Sequence, residues 1–123
     1  MLRKILITLP MLFGLVFGFI SLFSAARIGD ILGVAGTNPA GIGAVSGDFA
    51  GFFLVGAGAA ALALFKNRSS LLWVPISLYG LAIVGRLTSL PVTGVSGDVL
   101  QPIIIEAILV AMLFTALKLS PDA

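Results

Sequence analysis

The sequence predicts an all-α fold, an integral membrane four-helix bundle with both termini on the same, cytoplasmic side. Three observations predict it. Of 123 residues, 59% are hydrophobic and 10% charged. A soluble domain carries roughly 25% charged residues, so water is not the expected solvent for most of this surface. Four stretches are apolar over roughly the 20 residues needed to cross hydrocarbon. Lysine and arginine are shared unevenly between the segments that join those stretches. At this length the chain is expected to form one domain, 1–123.

The first span is expected from Ile5 to Ala25. Its start, Met1-Leu2-Arg3-Lys4, and the small residues Ser24-Ala25-Ala26 resemble a secretion signal. Its apolar run is longer than the usual 7–15 residues, which favours a retained span. A loop from Ala26 to Val45 follows, long for a helix hairpin and unusually apolar. Arg27 to Ala35 is expected to form a short helix lying in the interface, and Thr37-Asn38-Pro39 a turn. The segment serves either as a cover or as a lid.

The second span is expected from Asp48 to Phe65, the third from Leu71 to Leu90 and the fourth from Gln101 to Leu117. Lys66-Asn67-Arg68-Ser69-Ser70 is a polar turn in which a serine can cap the third helix. Pro91 cannot continue that helix, and Gln101-Pro102 suits a helix start. Pro10 and Pro75 predict mild kinks, and Trp73 an interfacial anchor. Arg3, Lys4, Lys66, Arg68 and Lys118 fall on one side. Arg27 lies in an opposite loop and Arg86 near that opposite end, so the positive-inside rule places both termini in the cytoplasm.

Whole classes of chemistry are missing from the composition. The chain has no cysteine, hence no disulfide, thiolate metal site or cysteine nucleophile. It also has no histidine, the commonest metal ligand and general base near neutral pH. No catalytic residue, metal or cofactor is expected. Scattered basic residues and a net charge of +2 argue against nucleic acid as a partner. The expected partners are the lipid bilayer and, through helix packing, other membrane subunits or a second copy.

A charge inside a span is unfavourable and marks a candidate function. Arg86 sits about 6 Å from the end of the expected third span, and Glu106 about 7–8 Å from the same face on the fourth, by helical rise. Antiparallel neighbours at similar depth, they are expected to form an intramembrane ion pair. Asp48, Asp98 and Gln101 lie near that end, and Tyr79 and Ser89 share a helical face with Arg86 and Ile83. Together they are expected to form one outer polar cluster. Its bland role is to hold two helices in register, and its functional role to bind a head group, an anion or a proton.

Glycines mark the expected packing faces. Gly14 and Gly18 form a small-residue step on the first span, and Gly43, Gly47 and Gly51 a ladder before and within the second. Small residues let helix backbones approach closely, so these faces are expected to pack the first two spans together, or to serve an oligomer. Phe13, Phe17, Phe19 and Phe23 spread around the first span as lipid-facing or packing bulk. Val45-Ser46-Gly47-Asp48 recurs as Val95-Ser96-Gly97-Asp98. The echo reads as helix-start chemistry arising twice, or as a repeated helix hairpin.

The second half carries a family resemblance. A glycine-rich second span, Gly85-Arg86-Leu87-Thr88-Ser89 closing the third, a Val92-Thr93-Gly94 loop, then Pro102 and Glu106 in the fourth resemble small bacterial four-helix membrane proteins near the DoxX-like superfamily. The resemblance covers Gly47 to Leu117. It implies the four-helix architecture, the Arg86–Glu106 pairing and a bacterial inner-membrane location. Some DoxX-like proteins are linked to quinone or thiosulfate oxidation, but no redox residue here carries that over. The leading expectation is a non-enzymatic multi-pass protein acting by helix packing, as an oligomer or an accessory subunit. The alternative is a small carrier or a lipid- or quinone-binding protein that uses the polar cluster.

Overall fold

A computed structural model describes residues Met1–Asp122. Those residues contain helices and turns but no strands. In order they are α1 (Leu2–Phe23), α2 (Ala25–Leu32), α3 (Pro39–Phe65), a 3-10 turn (Ser69–Leu72), α4 (Trp73–Thr88), α5 (Leu90–Thr93) and α6 (Gly97–Lys118). Four helical stretches, α1, α3, α4 with its preceding 3-10 turn, and α6, are long and apolar enough to cross a membrane. Only 22–33% of the most apolar window of each is buried inside the molecule. The outward residues include Leu9, Leu12, Val16, Val55, Leu81 and Ile108. That exterior suits hydrocarbon, and the chain has the architecture of a multi-pass membrane protein.

The four long helices are neighbours in the cyclic order α1, α3, α4, α6, with α1 against α3 the most extensive contact. That contact depends on two glycines. A Cβ on Gly14 would lie 2.8 Å from the Phe53 carbonyl oxygen, and one on Gly18 would run into the Leu54 side chain. The expected packing face of the first span is therefore present. Its counterpart is not the expected ladder: a Cβ on Gly43, Gly47 or Gly51 would meet nothing within 4 Å. α3 offers Phe53, Leu54 and Ala57 to α1 and turns the three glycines outward.

The second span differs most from expectation. Its helix begins at Pro39, nine residues before Asp48. Asn38 caps it, accepting the Gly41 N–H at 2.8 Å, and Pro39 takes the first helical position, where no N–H partner is needed. At 1.5 Å per residue α3 is about 40 Å long, about 10 Å more than the hydrocarbon core. Asp48 stands about 27 Å from Lys66, and Asp98 about 30 Å from Lys118. Asp48 thus marks a height along the bundle rather than a helix start. Hydropathy records where hydrocarbon ends, while a helix ends at its cap. The Val-Ser-Gly-Asp echo is not structural, since one copy lies inside α3 and the other opens α6.

The other boundaries shift by a few residues. α2 occupies Ala25–Leu32, near the expected interfacial helix. Ser24 caps its start, and Gly33, at φ +72°, ends it in the left-handed region while the Val34 N–H bonds the Gly29 carbonyl at 2.9 Å. α4 ends at Thr88, and Pro91 sits in the one-turn α5. α6 starts at Gly97, so Pro102 is internal and leaves the Asp98 carbonyl without its intrahelical donor. Trp73 opens α4 half-exposed, edge-on to Phe114 at 6.2 Å.

Both chain ends meet at one end of the bundle, called here the basic end. Arg3 donates through Nε to Ser120 Oγ at 2.7 Å and through Nη2 to Ser69 Oγ at 2.9 Å and the Ala63 carbonyl at 3.4 Å. Neither serine of the 66–70 turn caps the third helix by its side chain, and Ser69 donates its N–H and hydroxyl to the Asp122 carboxylate. One arginine from α1 thereby ties together α3, the 3-10 turn and the chain beyond α6.

Two outcomes follow from this packing. Gly14→Ala is expected to lower stability in detergent by about 1–3 kcal/mol through overpacking. Gly47→Ala, the same change in open space, is expected to be neutral or to stabilise by up to about 1 kcal/mol. Equal unfolding midpoints for the two variants would contradict the α1–α3 contact. At the basic end, hydrogen bonds from the Ser69 side chain and then its backbone hold the Asp122 carboxyl below its ordinary value of 3.8. A depressed acid stabilises its contacts above the ordinary value and loses them as pH falls through the lower, folded one. Exchange protection of the Ser69 amide should therefore persist at pH 5 and disappear in more acidic solution. Protection indifferent to pH would show that Asp122 does not hold Ser69.

Candidate functional site

The opposite, acidic end of the bundle carries the intramembrane charges. Arg86 is two residues from the end of α4, and Glu106 nine residues into α6, about 13 Å by helical rise. Glu106 is therefore farther from its helix end than the boundaries expected from sequence imply. The two still meet, because helical side chains lean toward their own N-terminus. α4 runs toward the acidic end, so Arg86 leans down into the bundle. α6 runs away from it, so Glu106 leans up. Arg86 Nε donates to Glu106 Oε1 at 2.7 Å. It is the only salt bridge among the described residues.

A cavity of about 840 Å3 opens beside this pair. Its floor is aromatic: Phe13 and Phe17 of α1 stack at 4.3 Å, and Phe52 of α3 stands edge-on to Tyr79 of α4 at 5.4 Å. Arg86, Glu106 and Gln101 line its polar wall. Asp98, at the start of α6, and the stretch Asp30–Val34, from the end of α2, also line it and lie toward the acidic end. From Asp98 to Glu106 is about 12 Å, nearly half of a 30 Å hydrocarbon core. The volume falls within the ~300–1,000 Å3 usual for small-molecule sites.

The structure brings together most of the expected cluster. Tyr79, Arg86, Asp98, Gln101 and Glu106 all line the cavity. Asp48 does not: it is exposed on α3 beside the outward glycines. Ser89 does not either, since its hydroxyl donates to the Arg86 carbonyl at 2.8 Å and closes the end of α4. The phenylalanines of α1 divide, with Phe13 and Phe17 lining the cavity and Phe19 and Phe23 exposed. Asp30, Phe49, Phe52 and Ala82 were not legible as site residues. For the phenylalanines the only sequence signal is the Phe49, Phe52, Phe53 spacing, which places three rings on one helical face.

Uncommitted polar groups face this space. Arg86 uses Nε on Glu106, and its side chain remains 35% exposed, so the Nη donors of the guanidinium stay available. Tyr79 is only 2% exposed, and no hydrogen bond within the described residues engages its hydroxyl. Among those residues, however, no side-chain oxygen is both fully enclosed and unpaired. The hydroxyl oxygen therefore retains access to the cavity its residue lines. Among the described residues no three His, Cys, Asp or Glu side chains form a metal-holding group. The arrangement can accept a molecule with a large apolar body and a small polar part.

Comparison of the chain with protein-family models, curated proteins and solved structures produced no match.

The ion pair generates its own test. Glu106→Gln is expected to lower the unfolding temperature in detergent, and adding Arg86→Gln should recover part of the loss, with a coupling of about 1–3 kcal/mol. Additive effects in the double-mutant cycle would remove any register-holding role for the pair.

Proposed function

We propose that this chain is a non-enzymatic, multi-pass membrane protein that holds an amphipathic lipophile in its acidic-end cavity. One observation carries the reading: the space between the helices reaches the intramembrane ion pair. A register lock alone needs no cavity beside it. The opening has ligand size, aromatic walls and convergent polar groups, the usual combination for a small-molecule site. The end of α2 and the residues after it, Asp30–Val34, contribute to its lining, so the segment between the first two spans covers the cavity.

Orientation is part of the proposal. Arg3, Lys4, Lys66, Arg68 and Lys118 crowd the basic end, while Arg27 stands in the loop region at the other. The positive-inside rule then puts the basic end and both termini in the cytoplasm of a bacterial inner membrane, and the cavity in the outer half.

A second reading has its own observation. Gly43, Gly47 and Gly51 form an unfilled small-residue face on α3, of the kind by which membrane helices approach one another. This supports the chain as an oligomer or accessory subunit. Purification in mild detergent as a lone monomer, with no co-purifying partner, counts against it.

The binding reading is tested by filling the space. Ala82 lies on the cavity wall, so an indole at that position would project bulk beside the ion pair. Ala82→Trp is expected to cut co-purifying lipophile, measured by mass spectrometry of an organic extract, by about tenfold while the fold and unfolding temperature hold. Equal lipophile content in the variant and the parent would remove the cavity from consideration.

A further inference from the structure

We propose that the cavity selects a hydrophobic organic cation. The inference rests on the cavity being a binding site and adds the charge of what it takes. Four ionisable groups other than Tyr79 line the space: Asp30, Asp98 and Glu106 are acidic, and Arg86 is basic. Arg86 is engaged with Glu106, and no cation forms a salt bridge with Asp30 or Asp98 among the described residues. Arg27, one turn before Asp30 on α2, is exposed and does not line the cavity. With all four groups ionised the lining is net negative by two charges.

The walls suit the same ligand. Phe13, Phe17, Phe49, Phe52, Phe53 and Tyr79 present aromatic rings to the space. Ring faces attract cations, and the attraction strengthens where water is thin. Tyr79 supplies an independent mark of a ligand: a side chain 2% exposed that lines the cavity and whose hydroxyl makes no hydrogen bond within the described residues. A neutral lipophile would use the rings and leave the carboxylates idle. An anion would find Arg86 but also the buried Glu106 beside it, with the exposed Asp30 and Asp98 at the mouth, and like charges repel.

The test uses two ions of matched shape and opposite charge, tetraphenylphosphonium and tetraphenylborate. Each is equilibrated with the full-length protein in maltoside micelles, with uptake by empty micelles subtracted. Tetraphenylphosphonium is expected to bind about tenfold or more tighter than tetraphenylborate. Asp98→Asn and Asp30→Asn should each weaken the cation several-fold and leave the anion unchanged or improved. Phe52→Ala should weaken whichever ion occupies the cavity, and Ala82→Trp should exclude both. Equal binding of the two ions, with Ala82→Trp still excluding both, would overturn the charge selection and leave the cavity reading standing. Preference for the borate would also overturn it. Cation binding insensitive to Ala82→Trp, or no binding of either ion, would overturn both.

Discussion

A carboxylate at the depth of Glu106 has to find a cation or take up a proton, because hydrocarbon solvates neither its charge nor its lone pairs. Arg86 supplies the cation, and the geometry that lets it do so comes from helix direction. On antiparallel helices the two side chains lean toward each other, so residues whose backbones stand at different heights meet at 2.7 Å. The pair is incompletely enclosed, with the Arg86 side chain 35% exposed and that of Glu106 11%. Both residues line the cavity beside it. The rest of the acidic end follows: α4 and α6 are held in register, and α1 and α3 bring their rings to the opposite wall.

The two ends of the bundle solve the same problem differently. At the basic end Arg3 reaches three neighbours, with Nε on Ser120 and Nη2 on Ser69 and Ala63. Ser69 in turn is bound to Asp122. Arg3, Ser69, Ser120 and Asp122 there are joined in one hydrogen-bonded network. At the acidic end Asp30, Asp98 and Gln101 stand around an opening, and Tyr79 keeps an unpaired hydroxyl below it. A second hollow, of about 510 Å3, lies near the basic end beside Trp73, Phe114 and Lys118. There the Lys118 ammonium already lies over the Phe114 ring at 5.2 Å. The two ends thus differ in what their polar groups face: neighbours at the basic end, an opening at the acidic end.

Close packing in this molecule is selective. Without a hydrophobic force between helices inside lipid, association depends on fit. Gly14 and Gly18 bring α1 onto the Phe53–Ala57 stretch of α3, which fixes the position of Phe53 and its ring partners Phe13 and Phe17. The glycines on the other side of α3 make no such contact. The same residue type in the same spacing thus builds a seam on one helix and an open face on the next.

Composition and spacing alone determined the apolar exterior, the four helices long and apolar enough to cross a membrane, a short helix after the first and the Arg86–Glu106 partnership. Each depends on local properties: hydropathy over a helix length, the cost of a lone charge in lipid, and the rise per residue. The tertiary structure decided what depends on rotation and on distant neighbours. It placed Asp48 outside the cluster, because a cap at Asn38 started α3 early and the helix face turned that residue outward. It bound Ser69 to Asp122, joining positions 53 residues apart. It recruited Asp30 and the Phe49–Phe52 face, which periodicity could place on a helix but not against a particular partner. Whether a polar cluster is a lock or a site turns on the empty volume beside it, and volume is a property of packed side chains in three dimensions.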